Sequence, residues 1–151
     1  FIYSGEEFLR TKNGEHNTFN MPIELNRIDW KLAEENKGMV EYYKSLIKLR
    51  KELTGLCDKD TDAGKNIETF IKEKGLLGVK IVNKTIGTTE PLYKEAVIIF
   101  NANDEALKVK LPEGEYKLLL DSDNFEKKVC DEVLTGEVEV QGSSAVFLGK
   151  K

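Results

Sequence analysis

The sequence contains little of several residue types that would mark a specialised class of protein. Its 151 residues include two cysteines, one histidine, one tryptophan and three prolines. The two cysteines, Cys57 and Cys130, lie far apart and have no C-x-x-C spacing, so they indicate neither a disulfide framework nor a zinc site. We therefore expect two free thiols rather than a bridge.

Long apolar runs and an excess of basic charge are also absent. No apolar run approaches the roughly twenty residues that a membrane span needs, and no signal peptide is visible. Lysine and arginine number 23 against 27 acidic residues, which gives a net charge of −4. No basic cluster exceeds two residues, so nucleic acid and an anionic membrane are excluded as partners.

The first thirty residues are dense in polar and aromatic side chains. Phe1-Ile2-Tyr3 followed by Ser4-Gly5 is typical of the end of a buried strand, and a long loop follows it. Loops of this length usually carry function. Because no methionine, cap or turn precedes the run, we expect the chain to be the end of a longer protein. Its localisation is therefore left open.

A helix is predicted after this loop, with Asn36 as its N-cap and Gly55 as its stop. Its apolar residues recur at intervals of three and four residues: Met39, Val40, Tyr43, Leu46, Ile47 and Leu53.

The aspartates of 58–64 then resemble the start of a calcium loop. That motif fails at Ala63, Lys65 and Thr69, where a glycine, an apolar residue and a glutamate are needed. A solvated connector is the better interpretation, and no metal is expected in this chain.

The chain as a whole is 40% hydrophobic and 33% charged, which is a globular composition. From residue 67 the apolar period falls to two. Turn residues separate the strands, so the pattern predicts an antiparallel β-sandwich with Val97 to Phe100 as its most buried strand. The alternation of Leu107, Val109 and Leu111 with lysines predicts one buried face and one solvated face. The predicted strands are 67–72, 76–83, 96–101, 106–111, 116–121, 138–141 and 145–148.

Several stretches resemble one family closely. They are IYSGEEFLRTK at 2–12, NGEHN at 13–17, NRIDW at 26–30, YYKSLIKLRK at 42–51 and VIIFNAN at 97–103. These resemble the eighth barrel strand, its loop, the last barrel helix and the C-terminal sandwich of type I pullulanases, in glycoside hydrolase family 13. The resemblance implies that residues 1–57 are a remnant of a catalytic (β/α)8 barrel, 58–66 a connector and 67–151 a C-terminal β-sandwich domain.

The resemblance also implies a function for the parent protein, which is the hydrolysis of α-1,6-glucosidic bonds in glucans such as pullulan or starch-derived dextrins. A retaining glycosidase needs a pair of carboxyl groups about 5 to 5.5 Å apart. By resemblance, the catalytic carboxylates lie on earlier barrel strands, and no part of this chain matches those motifs. We therefore expect the chain alone to be inactive, and its partners to be the missing barrel and an α-glucan.

Loops after barrel strands lie at the active-site face, so residues 6–30 are predicted to contribute sugar recognition. The candidate substrate-binding residues are Asn26, Arg27, Glu24, Asn17 and His16. Pullulanases carry a glucan-binding Asp just before the Asn-x-x-Asp-Trp motif. The matching position here is Ile23, with Glu24 one residue later. For Arg27 the alternative role is an ion pair with Asp29 or with a carboxylate of the barrel, which would only shape the loop.

Two other functions remain open at this point. One is a stand-alone β-sandwich module that binds carbohydrate or braces a neighbour. It is disfavoured because residues 67–151 contain no tryptophan. The other is the C-terminal part of a different α-amylase superfamily glycosidase, which the GEEFLRTK motif disfavours.

Overall fold

The structure is a computed structural model that describes residues 1–88, 90–121 and 133–151. These residues fall into two compact units, 1–45 and 46–151. The described residues form three helices, α1 (Ile23–Asn26), α2 (Lys31–Glu35) and α3 (Lys37–Glu52), with short 3₁₀ turns at Glu6–Phe8, Thr54–Leu56 and Ala63–Asn66. Across the described residues, no helix has the length and apolar character that crossing a membrane would require.

In the part of the second unit that the structure describes, eight strands form two antiparallel sheets. They are β1 (Ile67–Glu73), β2 (Leu76–Val82), β3 (Glu95–Asn101), β4 (Leu107–Lys110), β5 (Tyr116–Leu120), β6 (Val133–Leu134), β7 (Glu137–Val140) and β8 (Ser144–Lys150). One sheet has the order β1-β2-β3-β8-β5-β6, and the other pairs β4 with β7. The predicted antiparallel β-sandwich is therefore confirmed.

The seven predicted strands are all present, within two residues of their predicted ends. Turn residues delimit these strands, and the two-residue period identifies those that have one face in the core and one facing away from it. β6 was not predicted, since a strand of two residues is too short to show any period. Val109 is buried while Lys108 and Lys110 are exposed, which confirms the predicted alternation in β4.

The sandwich core lies between the two sheets. It contains Val97, Ile99, Val109, Leu111, Tyr116, Val140, Val146 and Leu148. Ala96 and Ile98 point to the opposite face of β3 and are buried as well, so the central strand is covered on both sides. Phe100 departs from the prediction because it is 41% exposed. It pairs with Leu77, itself exposed, at the end of that second face.

Helix α3 begins directly after Asn36, as predicted, but the side chain of Asn36 does not cap it. The side-chain amide instead donates to the carbonyl of Leu32, 3.0 Å away. The helix ends at Glu52, before Gly55. Gly55 has a different role: a Cβ built on it would lie 2.5 Å from Cγ2 of Ile81, so glycine permits a close approach to β2.

The first unit contains more helix than the sequence predicted. Helices α1 and α2 and the turn at Glu6–Phe8 interrupt the expected loop. Helices of four or five residues carry no apolar stripe, which is why periodicity missed them. Residues 1–3 have no strand partner among the described residues.

The structure describes only one of the two cysteines that we expect to be free thiols. The Sγ of Cys57 donates a hydrogen bond to the carbonyl of Arg50, 3.4 Å away. Cys130 lies outside the described residues.

Candidate functional site

A tight turn at 5–10 explains the GEEFLR motif. Gly5 has φ 100° and Leu9 has φ 62°, and a Cβ on Gly5 would lie 2.6 Å from the Arg10 side chain. The carboxylates of Glu6 and Glu7 accept hydrogen bonds from the N–H groups of Tyr3 and Gly5, at 3.1 and 3.0 Å. These two carboxylates therefore brace the turn.

Phe8 anchors this turn inside the first unit. It is 2% exposed, and its ring centroid lies 5.9 Å from that of Trp30. Trp30 itself remains 67% exposed. The sequence places Trp30 at the end of the NRIDW motif, so the two family motifs, GEEFLRTK and NRIDW, meet at this aromatic contact.

Asn26 is the centre of a polar network that ties three segments together. Its side-chain amide donates to the carbonyl of Thr18 at 2.7 Å, and more weakly to those of Met21 and Pro22. Its Oδ1 accepts from the Lys12 ammonium at 3.0 Å. Its backbone carbonyl accepts from the Arg10 guanidinium. Because both ends of its side chain are bonded within the loop, Asn26 acts as a brace in this structure.

Next to this network lies an open cleft with a volume of about 500 Å³. Its polar lining includes two guanidinium groups and three carboxylates, and its apolar lining comes from methionine, proline and leucine. The lining residues are Arg10, Thr11, Asn13, Glu15, Met21, Pro22, Glu24, Leu25, Arg27, Asp29 and Leu32. A mixture of converging polar groups and apolar patches is typical of sites for small polar ligands.

The structure separates the five predicted site residues into three groups. Glu24, which lies in α1, and Arg27, which is the C-cap of α1, both line the cleft. Asn26 lies in the network behind it. Asn17 and His16 are exposed and do not line the cleft.

Arg27 forms no ion pair with Asp29 or with any other carboxylate among the described residues. Glu24 faces the cleft, whereas Ile23 is 74% exposed and is not part of its lining. A carboxylate is therefore present in the cleft, one position after the place where the family motif has it.

Sequence reasoning missed Arg10, Glu15 and Asp29 as cleft residues, and Lys12 as a residue of the network. Arg10 and Lys12 lie in the GEEFLRTK motif, two residues apart, and a loop residue of this kind gives no periodic signal. The Nε of Arg10 is buried and has no hydrogen-bond partner among the described residues. It is thus an unpaired donor on a residue that lines the cleft.

The cationic side chains also act on Tyr3. The Lys12 ammonium lies 5.4 Å and the Arg10 guanidinium 5.5 Å from the centre of the Tyr3 ring. The hydrogen bond from Lys12, and then its positive charge, lower the pKa of the Tyr3 phenol below 10.0. The cause is stabilisation of the phenolate by a neighbouring cation.

Within the described residues, no three His, Cys, Asp or Glu side chains form a group suited to a metal.

No protein-family model matches the sequence. A curated pullulanase from Bacillus subtilis is 28% identical over 150 residues, which cover 98% of this chain and 20% of the relative. A crystal structure of type I pullulanase from the same species, complexed with maltose, matches with a TM-score of 0.84 at 27% identity. This match covers 99% of this chain and 21% of that one.

The predicted resemblance to the C-terminal portion of pullulanases is confirmed. A pullulanase from Anoxybacillus sp., complexed with maltotetraose, shares the fold with a TM-score of 0.79 at 23% identity, over 100% of this chain and 21% of that one. The chain thus spans about a fifth of the length of these pullulanases.

Proposed function

We propose that the chain is the C-terminal portion of a pullulanase-type debranching enzyme that hydrolyses α-1,6-glucosidic bonds in α-glucans. In this proposal, residues 1–57 complete the catalytic barrel, 58–66 connect it to the next domain and 67–151 form the C-terminal sandwich. The chain contributes scaffold and the rim of the active site. The acid/base and nucleophile carboxylates belong to the rest of the protein.

One observation carries the proposal: Arg27 and Glu24 face the same cleft, and the Arg27 guanidinium has no ion-pair partner among the described residues. A free guanidinium and a carboxylate supply donors and acceptors for sugar hydroxyls. The leucines, methionine and proline of the cleft can contact the apolar face of a pyranose ring. The relatives complexed with maltose and maltotetraose support an α-glucan as the ligand.

The surface of the first unit supports a large protein partner, which we propose to be the barrel. Phe19, Ile23 and Trp30 are 84%, 74% and 67% exposed. Exposed aromatic and apolar side chains at this density mark an interaction surface. In the proposal, the remaining barrel covers part of this surface.

The first test is an activity assay of the 151-residue chain with pullulan. We expect no increase in reducing ends above a buffer blank, because the catalytic carboxylates are proposed to lie elsewhere. Release of maltotriose that is lost in Glu7→Gln or Asp29→Asn would show that the local carboxylates catalyse the reaction, and would overturn that part of the proposal.

The second test is a titration of the chain with maltotetraose, followed by NMR. We expect shifts at Glu24 and Arg27, and about tenfold weaker binding for Arg27→Ala with an unchanged melting temperature, because a hydrogen bond from a charged donor is worth about 1.5 to 3 kcal/mol. Asn26→Ala should lower the melting temperature of the first unit. The absence of shifts at the cleft, or an Arg27→Ala effect confined to stability, would contradict a sugar-binding role.

A further inference from the structure

Lys12 makes more contacts across the first unit than a surface lysine usually does. Its ammonium donates to Oγ1 of Thr18 and to Oδ1 of Asn26, and it lies over the ring of Tyr3. These partners come from three separate segments of the chain. An ammonium group has three N–H donors, so a single charge can hold all three segments at once.

The partners of Lys12 are themselves linked. The Asn26 amide donates to the carbonyl of Thr18, the residue whose hydroxyl Lys12 contacts. Thr18 is 7% exposed, so removing the ammonium would leave a buried hydroxyl and an amide oxygen without their donor. Hydrogen bonds with a charged partner are stronger than neutral ones, and loss of one partner costs the desolvation of the other.

The position of Asn26 in the chain links this network to the cleft. Asn26 is the last residue of α1, Glu24 lies in the same short helix and Arg27 is its C-cap. A helix of four residues has little stability of its own. Its orientation therefore depends on the bonds that fix Asn26, and those bonds decide where Glu24 and Arg27 point.

We propose that Lys12 is a positioning residue for the cleft, which fixes Asn26 and thereby the orientation of the two side chains that α1 presents to ligand. This inference rests on the proposed function for the role of the cleft. It does not place Lys12 in contact with the sugar. Arg10 has a parallel role, because its guanidinium bonds to the carbonyls of Ser4 and Asn26, but of these two cations only Lys12 bonds to the Asn26 side chain.

The test uses the full 151-residue chain with three variants. Lys12→Met keeps the apolar stem and removes the ammonium, and Lys12→Arg keeps a cation. Lys31→Met is the matched control, because Lys31 is exposed in the same unit and does not line the cleft. We expect Lys12→Met to move the side-chain amide signals of Asn26 towards those of a free amide and to accelerate their exchange. Lys12→Arg should restore them in part, and Lys31→Met should leave them unchanged.

A pH titration of the Tyr3 ring signals by NMR and the maltotetraose titration add readouts that a merely structural role would not move together. Lys12→Met should return the Tyr3 midpoint towards its usual value and weaken maltotetraose binding at least about fivefold, with rescue by Lys12→Arg. If wild-type Asn26 already has free-amide signals, or if Lys12→Met changes neither Asn26 nor Arg27 more than Lys31→Met does, the inference is overturned.

The two proposals fail in different ways. If the wild-type chain binds maltotetraose and Lys12→Met binds it equally well, the positioning role is wrong and the proposed function stands. If the wild-type chain shows no shifts at the cleft while Asn26 and Arg27 still respond to Lys12→Met, the positioning role stands and the sugar-binding role of the cleft fails.

Discussion

Asn101 shows how a single buried amide can join three segments of the sandwich. It is 1% exposed, and its Nδ2 donates to the carbonyls of Glu105, Val140 and Gln141 at 2.8 to 3.1 Å. Its Oδ1 accepts two hydrogen bonds from Asn103, both at 3.0 Å. Buried polar groups are stable only when they are bonded in this way, so Asn101 ties the end of β3 to the end of β7.

Asn101→Ala should therefore destabilise the sandwich strongly. The substitution leaves carbonyls and an N–H without their partner and opens a small cavity, for a loss of about 2 to 4 kcal/mol in the free energy of unfolding. Denaturant unfolding measures the loss. Asn103→Ala is the control, because it removes one side-chain donor at a half-buried position and should cost about 1 kcal/mol. Equal losses for the two variants would contradict the central role of Asn101.

Tyr116 presents the opposite case at the same scale. It is fully buried in the core, and its hydroxyl has no hydrogen-bond partner among the described residues. Burial raises its pKa above 10.0, with a smaller opposing effect from Lys150. The neutral phenol is therefore favoured in the folded protein.

Tyr116→Phe should stabilise the protein by about 1 kcal/mol near neutral pH, since it removes a buried donor without a partner. The effect should grow above pH 10. As pH rises above 10, the Tyr116 phenol ionises in the unfolded chain before it ionises in the folded protein. The stability of the wild type therefore falls as pH rises. Thermal melts across this range measure both parts. A variant less stable than wild type would indicate that the hydroxyl has a partner.

At the scale of elements, the strands could be predicted because their two-residue period is visible in a few neighbouring residues. The site was harder to predict because its contacts join residues that are far apart in the sequence. β4 was identified from Leu107, Val109 and Leu111 alone. Asn26 and Arg27 were identified as a pair, yet Asn26 is the last residue of α1, whereas Arg27 is its C-cap and already has an extended backbone. The side chain of one braces the loop and that of the other lines the cleft. Contacts such as Lys12 with Asn26 join residues 14 apart and leave no pattern in the sequence.

The junction after α3 shows a similar limit. Gly55 resembles a helix stop, but the helix ends before it, and the glycine is required by close packing. The Gly55 N–H donates to Oδ1 of Asn83 at 2.9 Å, and Asn83 in turn donates to the carbonyl of Tyr93. Asn83 is 6% exposed, so this contact is enclosed.

Gly55→Ala should lower the free energy of unfolding by about 1 to 3 kcal/mol, because the new methyl group overlaps Cγ2 of Ile81 and approaches the carbonyl of Val82 at 3.1 Å. Gly64→Ala is the matched control, since a Cβ there meets no atom within 4 Å. It should be neutral or slightly stabilising through the unfolded state. Equal effects at the two glycines would show that Ile81 moves aside without cost.

At the scale of the whole molecule, buried apolar side chains are distributed unevenly. Phe8 is the only buried hydrophobic residue among residues 1–45. Leu49, Leu53 and the buried residues of the two sheets all belong to residues 46–151. Since apolar burial is the main force that offsets chain entropy, the first unit depends on its polar network and on any surface that covers it.

Hydrogen exchange of the chain in dilute solution should reveal this difference directly. The amides of Val97 to Phe100 lie in β3, which is paired along its whole length with β2 and β8, so they should open only when the sandwich unfolds globally. The amides of Phe8 to Asn20 should exchange through local opening at a lower free energy. If the proposed barrel covers the first unit, a longer chain that includes it should show slower exchange at 8–20 and unchanged exchange at 97–100. If 8–20 were protected as strongly as 97–100 in the chain alone, the first unit would be stable by itself, and its dependence on a covering surface would be wrong.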